Sequence, residues 1–150
     1  MTARVQNQAF DVGAEADAFT RAQSGAGAIV TFTGVVRSDK SGAVTEMEIE
    51  HYPGMTERAI GQIRDEACAR WNLTDALVIH RYGRLSVGEP IMMVATASAY
   101  RVAAFEAAEF LMDYLKSRAP FWKKEFTKDG AEWVDAKDAD ESALTRWDEA

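Results

Sequence analysis

A single cysteine, Cys68, occurs in the 150 residues. An intrachain disulfide is therefore impossible, and a metal cage built from several thiolates is excluded. No window approaches the roughly 18 apolar residues of a membrane-spanning helix. The opening Met1-Thr2-Ala3-Arg4-Val5 lacks the apolar run of a secretion signal. A cytoplasmic protein without membrane contact is expected. Only two histidines are present, His51 and His80. Neither stands in a close pattern with cysteines or carboxylates, so no metal site is expected and both are read as structural. Ser24-Gly25-Ala26-Gly27 has no third glycine opening a helix, which rules out a dinucleotide-binding fingerprint. Repeats, linkers and low-complexity stretches are missing too. No cofactor is called for.

A basic surplus is also lacking. The net charge is −7, unevenly spread: residues 1–124 balance at −1 and residues 125–150 at −6. The acidity belongs to the C-terminal segment, and the body is close to neutral. A nucleic-acid binder needs a net basic face, so that class is disfavoured. Cys68 flanks a helical apolar stripe and reads as a small packing residue.

What is there is one domain, residues 1–150, with 47% apolar and 27% charged residues. Val5 to Phe10 is a short strand and Val12 to Ala22 a helix. Ala28 to Arg37 is β-branched and aromatic, hence a strand, and Gly34 inside it predicts a bulge or a close backbone approach. A turn follows through Ser38-Asp39-Lys40-Ser41-Gly42. Val44 to Tyr52 alternates acidic Glu46, Glu48 and Glu50 with Met47, Ile49 and His51, a half-exposed strand expected to form a hairpin with its predecessor. Thr56 caps a helix to Trp71 that buries Ala59, Ile60, Ile63, Ala67 and Trp71. Ala76 to Leu85 reads as one strand, and Ile91 to Ala99 as another, buried on both faces. Arg101 to Arg118 is the clearest helix, with Phe105, Ala108, Met112 and Leu115 spaced 3-4-3 and widened by Ala104 and Leu111. Glu125 to Ala136 reads as a hairpin about Asp129-Gly130, and one short tail helix carries Leu144 and Trp147. The order predicts an α+β fold with mostly antiparallel strands and three main helices.

The chain is organised around Tyr114 to Glu125. Pro120 stops the long helix. Lys116, Arg118, Lys123 and Lys124 fall within nine residues with no acid among them, and Phe121 and Trp122 are interleaved. Such a place suits an anionic ligand with a flat ring. It also suits a solvated helix end whose cations offset the helix dipole. Lys116 lies one turn beyond Met112, at the seam of the apolar face, so its ammonium can reach a cleft while its stem stays packed. Arg37 stands at a strand end, where an arginine is more often only a surface residue.

Several stretches together resemble the large, catalytic subunit of molybdopterin synthase. They are Val30 to Arg37, Glu50-His51-Tyr52-Pro53-Gly54-Met55-Thr56, Val78-Ile79-His80-Arg81, Phe105-Glu106-Ala107, and Met112 to Glu125. The resemblance covers nearly the whole chain. It implies an α/β hammerhead-type fold with an added antiparallel part. It implies a sulfurtransferase that converts cyclic pyranopterin monophosphate into molybdopterin by installing two dithiolene sulfurs. The sulfur would arrive as a thiocarboxylate on the C-terminal glycine of a small ubiquitin-like subunit, within a heterotetramer built on a homodimer.

By motif match the resemblance makes Lys116 and Lys123 catalytic. Val35, Val36, Arg37, Tyr100, Arg101, Lys124 and Glu125 join them as substrate-binding residues, while Phe32 and Met112 shape the pocket. The chemistry agrees: arginine grips phosphate in a two-pronged way and lysine supplies a point charge. Lys116 either holds developing negative charge or transfers a proton, and neighbouring cations and partial burial are expected to favour its neutral form. In one respect the chain departs from the pattern. Many relatives carry a histidine before the arginine that opens the long helix; here the pair is Tyr100-Arg101. Tyrosine keeps a hydrogen-bonding role but titrates near 10, which puts proton shuttling at neutral pH in doubt. A non-catalytic homologue that keeps only the anion pocket is the competing reading.

Overall fold

A computed structural model describes residues 3–38, 41–134 and 138–148, without the side chains of residues 138 and 139. The elements run β1 (Ala3–Gln6), α1 (Val12–Arg21), β2 (Ala28–Val35), β3 (Glu46–His51), α2 (Met55–Trp71), β4 (Asp75–Arg81), β5 (Gly83–Ser86), β6 (Pro90–Ser98), α3 (Arg101–Ser117), β7 (Phe121–Thr127), β8 (Gly130–Trp133) and α4 (Asp138–Leu144), closed by a 3-10 turn over Thr145–Trp147. They make two four-stranded sheets, β1-β4-β6-β2 and β5-β3-β7-β8. Among the described residues only β1 against β4 is parallel, and the other pairings are antiparallel. The fold is the expected α+β type.

The first sheet is the core. Residues of β6 alternate between two apolar clusters because side chains alternate across a strand. Met92 and Val94 face the larger cluster with Ile60, Ala67, Phe110 and Leu111, whereas Met93, Ala95 and Ala97 face Phe19, Leu77 and Ile79. β6 is therefore buried on both faces, as its composition predicts. The second sheet is more polar. β3 buries Ile49, and its glutamates are half-buried or exposed.

Several sequence expectations are corrected. The first strand spans Ala3–Gln6 instead of Val5 to Phe10, because its partner β4 ends at Arg81 and the chain then turns through Asn7. The predicted strand from Ala76 to Leu85 is two strands in different sheets. Gly83 breaks it at φ 93°, where a Cβ would lie 2.2 Å from the Asn7 amide nitrogen. The hairpin between β2 and β3 does not form: β2 pairs with β6, while β3 pairs with β5 and β7. The N-cap of α2 is Gly54; Thr56 is buried, its hydroxyl accepting from the Tyr52 N–H and sharing its one proton between the Tyr52 carbonyl at 2.9 Å and the Pro120 carbonyl at 3.3 Å. In α3, Phe105 is exposed and Phe110 takes the core position. Asp39 and Lys40 of the predicted turn, and Asp135 and Ala136 of the predicted hairpin, lie outside the described residues.

The tail returns to α3. Leu144 and Trp147 are buried, and the Trp147 indole donates to Asp113 at 2.6 Å alongside Arg146. No helix of the described residues is long and apolar enough to cross a membrane.

Candidate active site

Where the two sheets meet, a cavity of about 130 Å³ opens between β2, α3 and β7. One cross-strand row forms its floor. His80 on β4 pairs with Met92 on β6, which pairs with Gly34 on β2. All three line the cavity. Gly34 allows close packing against this row: a Cβ there would sit 3.3 Å from Met92 Cγ, and the methionine would have to give way. The β2–β6 register slips after Gly34, the bulge expected from that glycine. Phe32 and Val35 line the same wall.

The opposite wall comes from the stretch around Pro120. Met112, Leu115 and Lys116 are one face of the last turns of α3, at the i, i+3, i+4 spacing of a helix. Phe121 and Lys123 are alternate residues of β7, so both point inward. Pro120 lies at the corner that folds helix and strand together. Lys116 and Lys123 thus arrive at one cavity from two elements. Lys116 is exposed despite lining it, and Lys123 is half-buried.

The other two cations of the cluster go elsewhere. Arg118 pairs with Glu141 of α4 at 2.8 Å. Lys124 points to the far side of β7, its Nζ 4.5 Å from the Trp133 ring centre. Glu125 lies further along β7, opposite Met47 and Glu132. Val36 is buried; its N–H donates to the Glu89 carbonyl at 2.9 Å and its carbonyl accepts from Gly88 at 2.8 Å. Arg37 is exposed, two residues beyond Val35. Tyr100 and Arg101 open α3 at its other end. Fifteen residues of helix put Arg101 about 22 Å from Lys116, at ~1.5 Å per residue. Within one chain, then, Phe32, Val35, Met112, Lys116 and Lys123 converge, and Arg101 and Tyr100 do not join them.

His80 is a cavity residue that reading it as structural misses. Its parity with Val78 on a strand buried along its length was the available signal. The ring stacks on Phe121 at 3.7 Å and 17°. Burial pushes its pKa down to about 3; the hydrogen bond to the Arg81 carbonyl opposes this, and Lys123 and Lys116 add to it. Cys68 is half-buried away from the cavity, and burial raises its thiol pKa.

The family model "MoaE protein" matches residues 5–118. The molybdopterin synthase catalytic subunit of Cereibacter sphaeroides is 69% identical, over 98% of this chain and 100% of its own length. The solved structure of the molybdopterin biosynthesis MoaE protein from Burkholderia ambifaria superposes with a TM-score of 0.84 at 48% identity, over 99% of both chains. The crystal structure of molybdopterin synthase from Staphylococcus aureus matches with a TM-score of 0.80 at 31% identity, over 87% of this chain and 95% of that one. A family match across most of the chain, with near-complete alignment to such a relative, places this protein in the MoaE family, the catalytic subunits of molybdopterin synthase.

Proposed function

We propose that this chain transfers sulfur from the C-terminal thiocarboxylate of a small ubiquitin-like subunit to cyclic pyranopterin monophosphate, forming the dithiolene of molybdopterin in the cytoplasm. The carrying observation is the cavity in which Lys116 and Lys123 meet between Phe32, Met112 and Phe121. Two ammonium groups there hold the anionic thiocarboxylate while its sulfur attacks a carbon of the precursor. They also stabilise the oxyanion formed when water then cleaves the resulting thioester, which leaves the sulfur on the pterin and releases the small subunit as its carboxylate. The sulfur comes from outside, because the lone thiol of this chain is held protonated away from the cavity.

The cavity wall at Val35 leads two residues on to the exposed Arg37, whose guanidinium suits the phosphate of the substrate. A homodimer supplies what one chain lacks. β2 is an edge strand whose Phe32 and Val35 are exposed, and Tyr100, Val102 and Phe105 are exposed at the opening of α3. α3 runs antiparallel to β6, so its opening lies at the Ala28 end of β2 and its close at the Val35 end. Two copies whose β2 edges meet antiparallel, about a two-fold axis perpendicular to the strands, would bring Tyr100 and Arg101 of the partner subunit to this cavity. Lys124 faces the other side of β7, whereas Glu125 shares the face of Phe121 and Lys123 two residues further along, beyond the cavity lining of the single chain.

The test is reconstitution with thiocarboxylated small subunit and the pterin precursor. Dithiolene product from the wild type, with Lys116→Ala and Lys123→Ala each slowed by about a hundredfold or more while folded, is expected. Lys116→Arg separates the two roles: retained turnover means the residue works as a charge and not as a neutral amine. No product from the wild type overturns the reading.

A further inference from the structure

His80 carries a group that the lysine chemistry leaves unused. It is a buried imidazole in the cavity floor, beneath two cations. A carbonyl oxygen only accepts, so the 2.8 Å contact between Nδ1 and the Arg81 carbonyl fixes the proton on Nδ1. Nε2 is then an acceptor and nothing else. The ring cannot tumble, because Phe121 stacks on its face and the backbone of its own strand holds Nδ1. Phe121 and Lys123 share one face of β7, which places the lysine stem beside the stacked rings. The charged or titratable groups acting on His80 are Lys123 from β7, Lys116 from α3 and His51 from β3, with Arg81 next to it in β4.

We propose that His80 is a positioning residue: its Nε2 lone pair accepts a hydrogen bond from the Lys123 ammonium and aims that cation into the cavity. This rests on the sulfur-transfer reading for its consequence but not for its geometry. Burial keeps the imidazole uncharged at neutral pH, consistent with a pKa of about 3, so it can accept from an ammonium without adding a third positive charge to the cavity. A charged histidine there would repel both lysines and could accept nothing. An apolar residue would leave Lys123 without this directional partner.

Two measurements test this. The first needs no substrate: nitrogen NMR of the histidine rings in the free protein between about pH 5 and 8. His80 is expected to remain in the Nδ1–H form throughout, and its Nε2 resonance is expected to shift in Lys123→Met. An Nε2–H tautomer, a protonation midpoint above about pH 6, or an Nε2 signal indifferent to Lys123→Met would overturn the proposal. The second is sulfur-transfer kinetics of a matched pair. His80→Asn keeps a donor to the Arg81 carbonyl but is too short to place an acceptor at the Nε2 position. His80→Gln reaches that position. His80→Asn is expected to lose about ten- to a hundredfold in kcat with KM within about threefold, and His80→Gln to recover most of it. Equal activity of the two folded variants, at any level, would refute a positioning role. Should neither variant fold, the NMR result on the wild type decides alone. A wild type without sulfur transfer would overturn the functional reading while leaving the NMR test intact.

Discussion

The two sheets of this protein are built to different specifications. In β1-β4-β6-β2 the central strands are buried almost throughout, with Val78, Ile79, Met93 and Val94 fully enclosed. In β5-β3-β7-β8 the residues of β7 are mostly half-buried, and all of β8 is exposed. The first sheet owes its stability to apolar area, the second to pairing and to contacts such as Arg84 over Phe126 at 3.9 Å. The cavity lies on the boundary. The apolar sheet supplies a floor that cannot shift without disturbing the core, and the polar sheet supplies Lys123. A rigid wall faces a charged one, which is what holding an anion at a defined distance requires.

Breaking the two halves separately should show the contrast. Phe110→Ala empties a fully buried site beneath α3 and should cost about 3–5 kcal/mol of unfolding free energy in denaturant titration. Trp133→Ala on β8 removes a half-exposed ring and its contact with Lys124, and should cost about 1 kcal/mol or less. Comparable losses would mean that the polar sheet is as integral as the apolar one.

Acid should act through the apolar sheet. His80 has a folded-state pKa of about 3 against the ordinary 6.5, so the unfolded chain binds more protons between those values. Stability is therefore fully present above about pH 6.5 and falls by up to ~1.4 kcal/mol per pH unit toward pH 3. His80→Asn should flatten that part of the curve, read from denaturation midpoints at several pH values. A smaller effect is expected at the tail clasp. Asp113→Asn weakens the grip on Arg146 and Trp147 and should cost about 1–2 kcal/mol. Least of all, Cys68→Ala should leave sulfur transfer unchanged. A folded but inactive Cys68→Ala protein would show that sulfur passes through this chain.

Much of this division is legible in the sequence, for reasons that differ by element. β6 and α3 follow from uninterrupted periodicity, and the corner at Pro120 from the chemistry of the ring. The Gly34 bulge follows from one residue that cannot pack. Other features depend on partners distant along the chain. Nothing local says that β2 and β3, neighbours in sequence, separate into different sheets. The break at Gly83 depends on Asn7, more than seventy residues earlier. Phe105 and Phe110 both fit a helical stripe, and only the packing partners of α3 decide between them. The cluster of four cations reads as one patch, yet strand alternation sends Lys124 away from Lys123, and Glu141 claims Arg118. His80 could have been flagged as a polar residue in a strand that is otherwise enclosed, but no motif linked it to the lysines.

Thr56 gives the bend at Pro120 a remote anchor. Its hydroxyl bridges the Tyr52 backbone at the entrance to α2 and, at 3.3 Å, the proline carbonyl itself. The two ammonium-bearing arms that leave this elbow are thus moored to a helix sixty residues upstream. Tyr52 and Met55, beside that mooring, are exposed, so the corner is tied to a place that solvent and other molecules can reach.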